Sequence, residues 1–140
     1  MFVGRTALNA LERDPDFFLR HGYTYSGHSS VCAAALKNLE IIEREGLIER
    51  AKHVGKRLSD GLHSLAADGV IDSVRGAGAI WAAGLKPDQN CVTIRDNMIK
   101  RGVIARSINA DTNAFCPPFV ITDQQIDTLL DVFAAAAQGK

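Results

Sequence analysis

The apolar positions of the chain recur with the period of amphipathic helices in several segments. Val31, Ala35, Leu39 and Ile42, for example, follow one another at intervals of four, four and three residues, which places them on one helix face. The predicted helices cover residues 3–12, 30–44, 48–66, 90–101 and the segment that Asp123 is expected to cap. We expect the apolar face of the helix 3–12 to be exposed or to be buried against a partner, and Cys32 on the second helix to pack into the core.

Short strands are predicted between the third helix and the last one. Residues 70–75 and 79–85 flank Gly76-Ala77-Gly78 and read as two strands, residues 103–106 as a third and residues 114–116 as a fourth. The double proline that follows ends the fourth strand, because proline cannot donate to a sheet. Three or four short strands beside several helices predict an α+β or α/β fold, in which a short, mainly antiparallel sheet is packed by helices.

Composition excludes several classes of function. The 140 residues carry 16 basic and 16 acidic side chains, so no net charge attracts the chain to nucleic acid or to an anionic membrane. No apolar run approaches the length that spans a bilayer, and the N-terminus has no signal pattern. The three cysteines are too scattered for a zinc site or a redox pair, so we predict no metal site. We expect a cytoplasmic protein with reduced thiols.

The richest stretch of polar chemistry is the segment 21–28, which reads HGYTYSGH. It contains two glycines and several hydrogen-bonding side chains, and it precedes the predicted second helix. Free N–H groups at a helix N-terminus bind anions, and the Thr24 hydroxyl adds a donor for a phosphate oxygen. The simpler interpretation is that Ser26, Ser29 or Ser30 caps the helix, and spacing alone favours it.

Four segments in order carry a resemblance to a known family. They read HGYTYSGH (21–28), VRGAG (74–78), RGVIAR (101–106) and PPFVITD (117–123). Together they resemble the class III aminotransferases of the ω-amino-acid type, which are pyridoxal-phosphate enzymes of fold type I. The resemblance implies transfer of an amino group between an amine or ω-amino acid and a 2-oxo acid such as pyruvate. Ser29 stands where the family usually has proline.

The resemblance also assigns roles to individual residues. It implies that Thr24 binds the phosphate of pyridoxal 5'-phosphate held by another subunit, with Tyr25 and Ser26 beside it. It implies that Arg106 holds the substrate carboxylate, which suits the forked guanidinium of arginine. Spacing alone favours a surface ion pair between Arg106 and Asp111 instead.

The resemblance implies a division of the chain and a missing group. Residues 1–28 correspond to part of the cofactor-binding large domain, residues 29–46 to a connecting helix and residues 47–140 to the C-terminal small domain. The family's Schiff-base lysine lies upstream of these segments, and none of the six lysines here lies in its motif. We therefore expect the chain to be inactive alone and to form a homo-oligomer or to pair with a chain that carries the upstream part. The alternatives are a catalytically silent remnant that acts as a folding or dimerisation module, or a chain that binds and regulates the upstream part.

Overall fold

A computed structural model describes residues 4–13, 16 and 22–139, apart from the side chains of residues 7 and 10. The chain divides into two compact units, Met1–Lys37 and Asn38–Lys140. Parts of two predictions lie outside the described residues: the first residue of the predicted helix 3–12, and His21 of the polar segment 21–28.

The described residues form five helices and one four-stranded sheet. The helices are α1 (Arg5–Leu11), α2 (Ser29–Arg44), α3 (Leu47–Ala67), α4 (Cys91–Lys100) and α5 (Asp123–Ala137). The strands are β1 (Ser73–Ala77), β2 (Ile80–Gly84), β3 (Arg106–Ile108) and β4 (Thr112–Phe115). All neighbouring strands are antiparallel, in the order β1-β2-β4-β3. The predicted α+β fold, a short antiparallel sheet packed by helices, is confirmed.

The core of the second unit lies between the sheet and the helices α3, α4 and α5. Val54, Leu58 and Leu62 of α3 are fully buried, as are Ile126 and Phe133 of α5. Burying an aliphatic or aromatic side chain of this size contributes about 1.5–3 kcal/mol to stability. The apolar faces of α3 and α5 therefore supply a large part of the core of this unit.

Helix α2 lies where it was predicted, and its apolar face is not buried. None of its 16 residues is buried, and Val31, Leu36 and Leu39 are 59%, 68% and 50% exposed. Cys32 is also exposed, so its predicted core position is wrong. Periodicity correctly identified a helix with an apolar face, but periodicity says nothing about what covers that face.

The hairpin between β1 and β2 lies so close to α3 that the helix has no room for a side chain at Gly55. A Cβ at Gly55 of α3 would lie 1.8 Å from the carbonyl oxygen of Gly78. Gly78 itself has φ +55°, a left-handed conformation that glycine adopts without strain. The turn between the two strands is therefore Gly78-Ala79, whereas residues 76–78 were predicted to separate them.

The third strand was predicted too early in the chain. Residues 103–106 were expected to be extended, but the N–H groups of Gly102 and Val103 donate to Ile99 and Met98, both at 3.0 Å. These bonds end α4, with Gly102 in the left-handed region at φ +80°. Strand β3 consequently begins only at Arg106.

The residue that caps α5 is Thr122, so the predicted cap at Asp123 is wrong. The Thr122 side chain accepts a hydrogen bond from the Gln125 N–H at 3.2 Å, and the Gln125 side chain accepts one from the Thr122 N–H at 2.9 Å. This reciprocal pair is a capping box. Asp123 is the first helical residue, where its negative charge is attracted by the positive end of the helix dipole.

Candidate functional site

The polar loop before α2 is held in shape by its own hydrogen bonds. The Tyr23 N–H donates to the Ser26 Oγ at 2.7 Å, and the Ser26 N–H donates to the Tyr23 carbonyl oxygen at 2.9 Å. The His28 N–H donates to the Tyr25 carbonyl oxygen at 3.2 Å. Gly27 has φ +77°, which suits glycine at this turn. The loop is therefore a compact pair of turns that ends at the start of α2.

Thr24 stands at the tip of this loop. Its side chain is exposed, and its hydroxyl has no hydrogen-bond partner among the described residues. Tyr25 is 75% exposed, with its ring edge-on to His28 at a centroid distance of 6.3 Å. Ser26 is exposed too, but its Oγ already accepts the Tyr23 N–H. The loop thus offers a free threonine hydroxyl and a partly engaged serine hydroxyl, a donor set that fits a phosphate oxygen.

The simpler interpretation of the serines as helix caps fits the geometry less well. The Ser26 side chain is bonded to Tyr23 within the loop. Ser29 and Ser30 are the first two residues of α2, and the first intrahelical bond runs from the Cys32 N–H to the His28 carbonyl oxygen. The residue in the capping position is therefore His28.

Arg106 is the first residue of β3, at one edge of the sheet. It lies opposite Ala114 of β4, and its side chain is exposed. The ion pair with Asp111 that spacing favoured is not found between these two described residues. The Asp111 carboxylate instead accepts a hydrogen bond from the Thr112 Oγ1 at 2.9 Å. The Arg106 guanidinium is thus left available for an external carboxylate.

The candidate residues are divided between the two compact units. Thr24, Tyr25 and Ser26 belong to Met1–Lys37, and Arg106 belongs to Asn38–Lys140. Among the described residues, no group of three or more histidine, cysteine or acidic side chains has the geometry to hold a metal ion. No helix of the described part is both long enough and apolar enough to cross a membrane.

A groove that the sequence patterns did not predict lies in the second unit, next to the end of β4. Its volume is about 510 Å³, and its lining is mostly apolar, including Val103, Phe115, Pro118 and Leu129. The groove has no arginine, lysine, histidine or carboxylate in its lining. It therefore offers mainly shape and apolar surface, and its polar side chains are those of Cys116, Gln125 and Thr128.

A cluster of charged side chains fixes the segment that leads from this groove into α5. Arg50 of α3 donates to the Ile121 carbonyl oxygen and, at 2.8 Å, to the Asp123 carboxylate. The His53 Nε2 lies 3.0 Å from the same carboxylate. Hydrogen bonds from Arg50 and then from His53 lower the pKa of Asp123 below its ordinary value.

Arg57 extends the same cluster along α3 and α5. Its Nη2 lies 2.7 Å from Oδ1 and 2.8 Å from Oδ2 of Asp127. The hydrogen bonds that Arg57 donates to Asp127 raise the pKa of Arg57 above its ordinary value. This cluster joins α3 to the start of α5.

Comparison with known proteins places the chain among the transaminases. The chain is 28% identical to a transaminase from the marine bacterium Virgibacillus, whose solved structure superposes with a TM-score of 0.86 over 98% of this chain and 34% of that one. It is 36% identical to the diaminobutyrate–2-oxoglutarate transaminase of Halomonas elongata, over 93% of this chain and 31% of that protein. It is 33% identical to the β-alanine–pyruvate aminotransferase of Pseudomonas aeruginosa, over 85% of this chain and 28% of that protein.

The family itself follows from a match over nearly the whole chain. The model that describes the class III aminotransferases matches residues 3–137. The chain belongs to this family, as the four motifs predicted. It spans between a quarter and a third of the length of the relatives that it matches.

Proposed function

We propose that this chain is the C-terminal segment of a class III transaminase that moves an amino group between an amine or ω-amino acid and a 2-oxo acid such as pyruvate. The observation that carries the proposal is the pair of available side chains, Thr24 and Arg106, at the two positions that resemble the family's phosphate and carboxylate contacts. Residues 1–28 would belong to the large domain, residues 29–46 to a connecting helix and residues 47–140 to the small domain.

The loop would contribute to the cofactor site through its phosphate end. The Thr24 hydroxyl is exposed and unpaired within the described residues, and the turns at Tyr23–Ser26 and Tyr25–His28 hold it in place. Pyridoxal phosphate supplies the electron sink for transamination when it is bound, while the protein orients it. The resemblance implies that most of the family's other contacts with the cofactor are made by residues upstream of this loop. The loop alone should therefore bind phosphate weakly.

Arg106 would orient the substrate through its carboxylate. An arginine can make two parallel hydrogen bonds to a carboxylate, which fixes both position and orientation. The opposite residue, Ala114, presents only a methyl group, so it neither neutralises nor covers the guanidinium. The same arginine would serve both an ω-amino acid and a 2-oxo acid, because each carries a carboxylate.

The test uses a chimera in which this chain replaces the matching 31% of the Halomonas elongata transaminase. Thr24→Val keeps the shape of the side chain and removes the hydroxyl. A neutral hydroxyl bonded to a charged phosphate contributes about 1.5–3 kcal/mol. Cofactor affinity should therefore fall about ten-fold or more, at about 1.4 kcal/mol per factor of ten. An equal affinity for Thr24→Val and the parent chimera, measured by titration, would remove this loop from the phosphate site.

A second candidate function is supported by the exposed face of α2. Val31, Leu36 and Leu39 expose at least half of their side-chain surface, and exposed apolar patches favour association. The chain would then act as a dimerisation module without catalysis, or as one half of an enzyme divided between two chains. Sedimentation of the Leu36→Glu variant tests this alternative. The control is Lys37→Glu, which changes an exposed residue that is already polar. Dissociation by the first change alone would support it.

A further inference from the structure

The groove next to the end of β4 lies where the pairing of two strands stops. The last pair of residues between β3 and β4 at this end is Arg106 and Ala114. The segment that follows β4 contains Pro117 and Pro118, which have no backbone N–H and so cannot continue the ladder. Beyond the last pair the two chain segments are unpaired, and both line the groove, one of them through Val103.

Hydrogen bonds made away from the groove hold its walls in place. On one side, the Val103 N–H donates to the Met98 carbonyl oxygen at 3.0 Å, which ties this wall to the end of α4. On the other side, Arg50 of α3 donates to the Ile121 carbonyl oxygen, and the Ile121 N–H donates to the Pro118 carbonyl oxygen at 3.0 Å. A site that is formed before its ligand arrives avoids the free-energy cost of ordering its walls.

The groove has the size and the surface of a small-molecule site. Its volume of about 510 Å³ falls within the roughly 300–1,000 Å³ of ligand pockets, which are lined mainly by apolar side chains with a few polar groups. Ile104 lines the groove and is 85% exposed, whereas Phe115 in the same lining is 2% exposed. A ligand would therefore cover apolar surface that faces water, which favours binding.

The lining also limits the charge of the ligand. It contains no arginine, lysine, histidine or carboxylate. A charged ligand would therefore lose hydration without meeting a charge of the opposite sign, which is costly at an apolar surface. The groove favours an uncharged molecule.

The polar side chains of the lining define the ligand further. Gln125 uses its Oε1 to accept the Thr122 N–H in the capping box, and its Nε2 has no hydrogen-bond partner among the described residues. The Thr128 hydroxyl already donates to the Gln124 carbonyl oxygen at 2.9 Å. The amide of Gln125 is therefore the donor that the groove offers, and its complement is an acceptor such as a carbonyl oxygen.

We propose that this groove binds an uncharged small molecule with an apolar body and a carbonyl oxygen, which accepts a hydrogen bond from the Gln125 Nε2. The site uses neither Thr24 nor Arg106, so the inference goes beyond the proposed transaminase function and does not depend on it. The exposed Cys116 thiol lines the groove and can report on its occupancy. The thiol of Cys32 is also exposed, and it lies in the first unit, outside the lining.

The test uses the full 140-residue chain and benzophenone, an uncharged aromatic ketone. N-ethylmaleimide alkylates exposed thiols, and mass spectrometry follows Cys116 and Cys32 separately. Benzophenone should slow the alkylation of Cys116 and leave that of Cys32 unchanged. The anion para-benzoylbenzoate, which adds a carboxylate to the same body, should protect Cys116 less. The inference is overturned if benzophenone protects neither thiol or both equally, or if the anion protects Cys116 as well as benzophenone does.

The Gln125→Glu variant tests the hydrogen-bond donor. Glutamate keeps an oxygen that accepts the Thr122 N–H in the capping box, and it replaces the Nε2 donor by a carboxylate oxygen. The matched control is Gln124→Glu, which adds the same charge at an exposed neighbouring residue outside the lining. Half-protection of Cys116 should need roughly three- to ten-fold more benzophenone in Gln125→Glu than in the parent, and the same concentration in Gln124→Glu. Equal protection of Gln125→Glu and the parent would overturn the inference.

A protein segment from outside this chain is the other occupant that the test distinguishes, since the chain spans 31% of the Halomonas elongata relative. In the chimera without benzophenone, Cys116 should stay reactive towards N-ethylmaleimide, and benzophenone should protect it as in the isolated chain. An unreactive Cys116 in the ligand-free chimera would show that protein fills the groove, which would overturn the small-molecule site. Alkylation is measured without turnover, so either result leaves the proposed function to its own test.

Discussion

Arg106 and Ala114 lie directly opposite each other where β3 pairs with β4. Ala114 is 7% exposed, and its side chain is an uncharged methyl group. A carboxylate in place of this methyl group could pair with Arg106 within the protein, whereas alanine cannot. Under the proposed function, the residue opposite Arg106 therefore influences carboxylate binding.

Removal of the arginine should affect only carboxylate substrates. In the chimera, Arg106→Ala should weaken transition-state binding of β-alanine by about 1.5–3 kcal/mol, because a charged hydrogen-bonding group is lost. A simple amine donor offered with a carboxylate-free acceptor should be affected much less. The measurement is kcat/KM for both donors with that acceptor. Equal losses for the two donors would exclude Arg106 from the substrate site.

A negative charge on β4 opposite Arg106 should weaken the binding of carboxylate substrates in the same way as removal of the arginine. Ala114→Glu places a carboxylate across the strand pair from Arg106, where opposite charges contribute about 0.2–1 kcal/mol. KM for carboxylate donors should rise, while the free energy of unfolding stays close to that of the control Ala114→Gln. The control has the same size but no charge. If Ala114→Gln raises KM as much as Ala114→Glu does, the effect is steric and the electrostatic explanation is wrong.

The close approach of α3 to the β1–β2 hairpin predicts a difference between two glycines of the same helix. Gly55→Ala should lower the free energy of unfolding by about 1–3 kcal/mol, because its methyl group meets the Gly78 backbone. A Cβ at Gly61 would instead meet the Leu130 Cδ1 at 2.3 Å, which is the movable end of a side chain. Gly61→Ala should therefore cost less, and the gain in helix propensity of about 1 kcal/mol offsets part of the cost. Urea unfolding of both variants checks this order, and equal costs would contradict the hairpin contact.

The charge cluster around Asp123 predicts how stability depends on pH. The pKa of Asp123 is lower in the folded chain than in the unfolded one, because Arg50 and then His53 bond to its ionised form. Its contribution is therefore fully present above the unfolded pKa of about 3.9 and is lost as the pH falls through the lower folded pKa. Asp123→Asn should be less stable than the parent at about pH 7, and the difference should shrink near about pH 3.

Asp131→Asn is the control for this experiment, since Asp131 is an exposed residue of the same helix with no ion pair among the described residues. It should show no comparable change between the two pH values in thermal melts. If the Asp123→Asn difference is the same at both pH values, the cluster does not stabilise the ionised carboxylate.

Local patterns predicted the helices well because each helix follows from its own residues. The bounds of α3, α4 and α5 lie within a few residues of the apolar periods that predicted them. Strand β3 was misplaced because the bonds that end α4 at Gly102 and Val103 leave no trace in periodicity. Thr24 and Arg106 were found through motif resemblance, and their exposure agrees with a binding role without testing it.

Contacts between distant residues were beyond prediction for a different reason. Arg50 and Asp123 are 73 residues apart, and Arg75 and Thr112 are 37 apart. Whether Arg75 shares a face with Arg106 depends on the strand order and on the register of three strand pairs. A shift of one residue in any pair would move the arginine to the other face.

The central claim is that the chain completes a transaminase but does not form one alone. The most direct measurement is pyruvate-dependent turnover of an amine, with pyridoxal phosphate present, by the isolated chain and by the chimera. None of the six lysines here lies in the motif of the family's nucleophilic lysine, which must bond to the cofactor. The account predicts no turnover by the isolated chain and cofactor-dependent turnover by the chimera. Robust turnover by the isolated chain, or a folded chimera that binds the cofactor and has no activity, would contradict it.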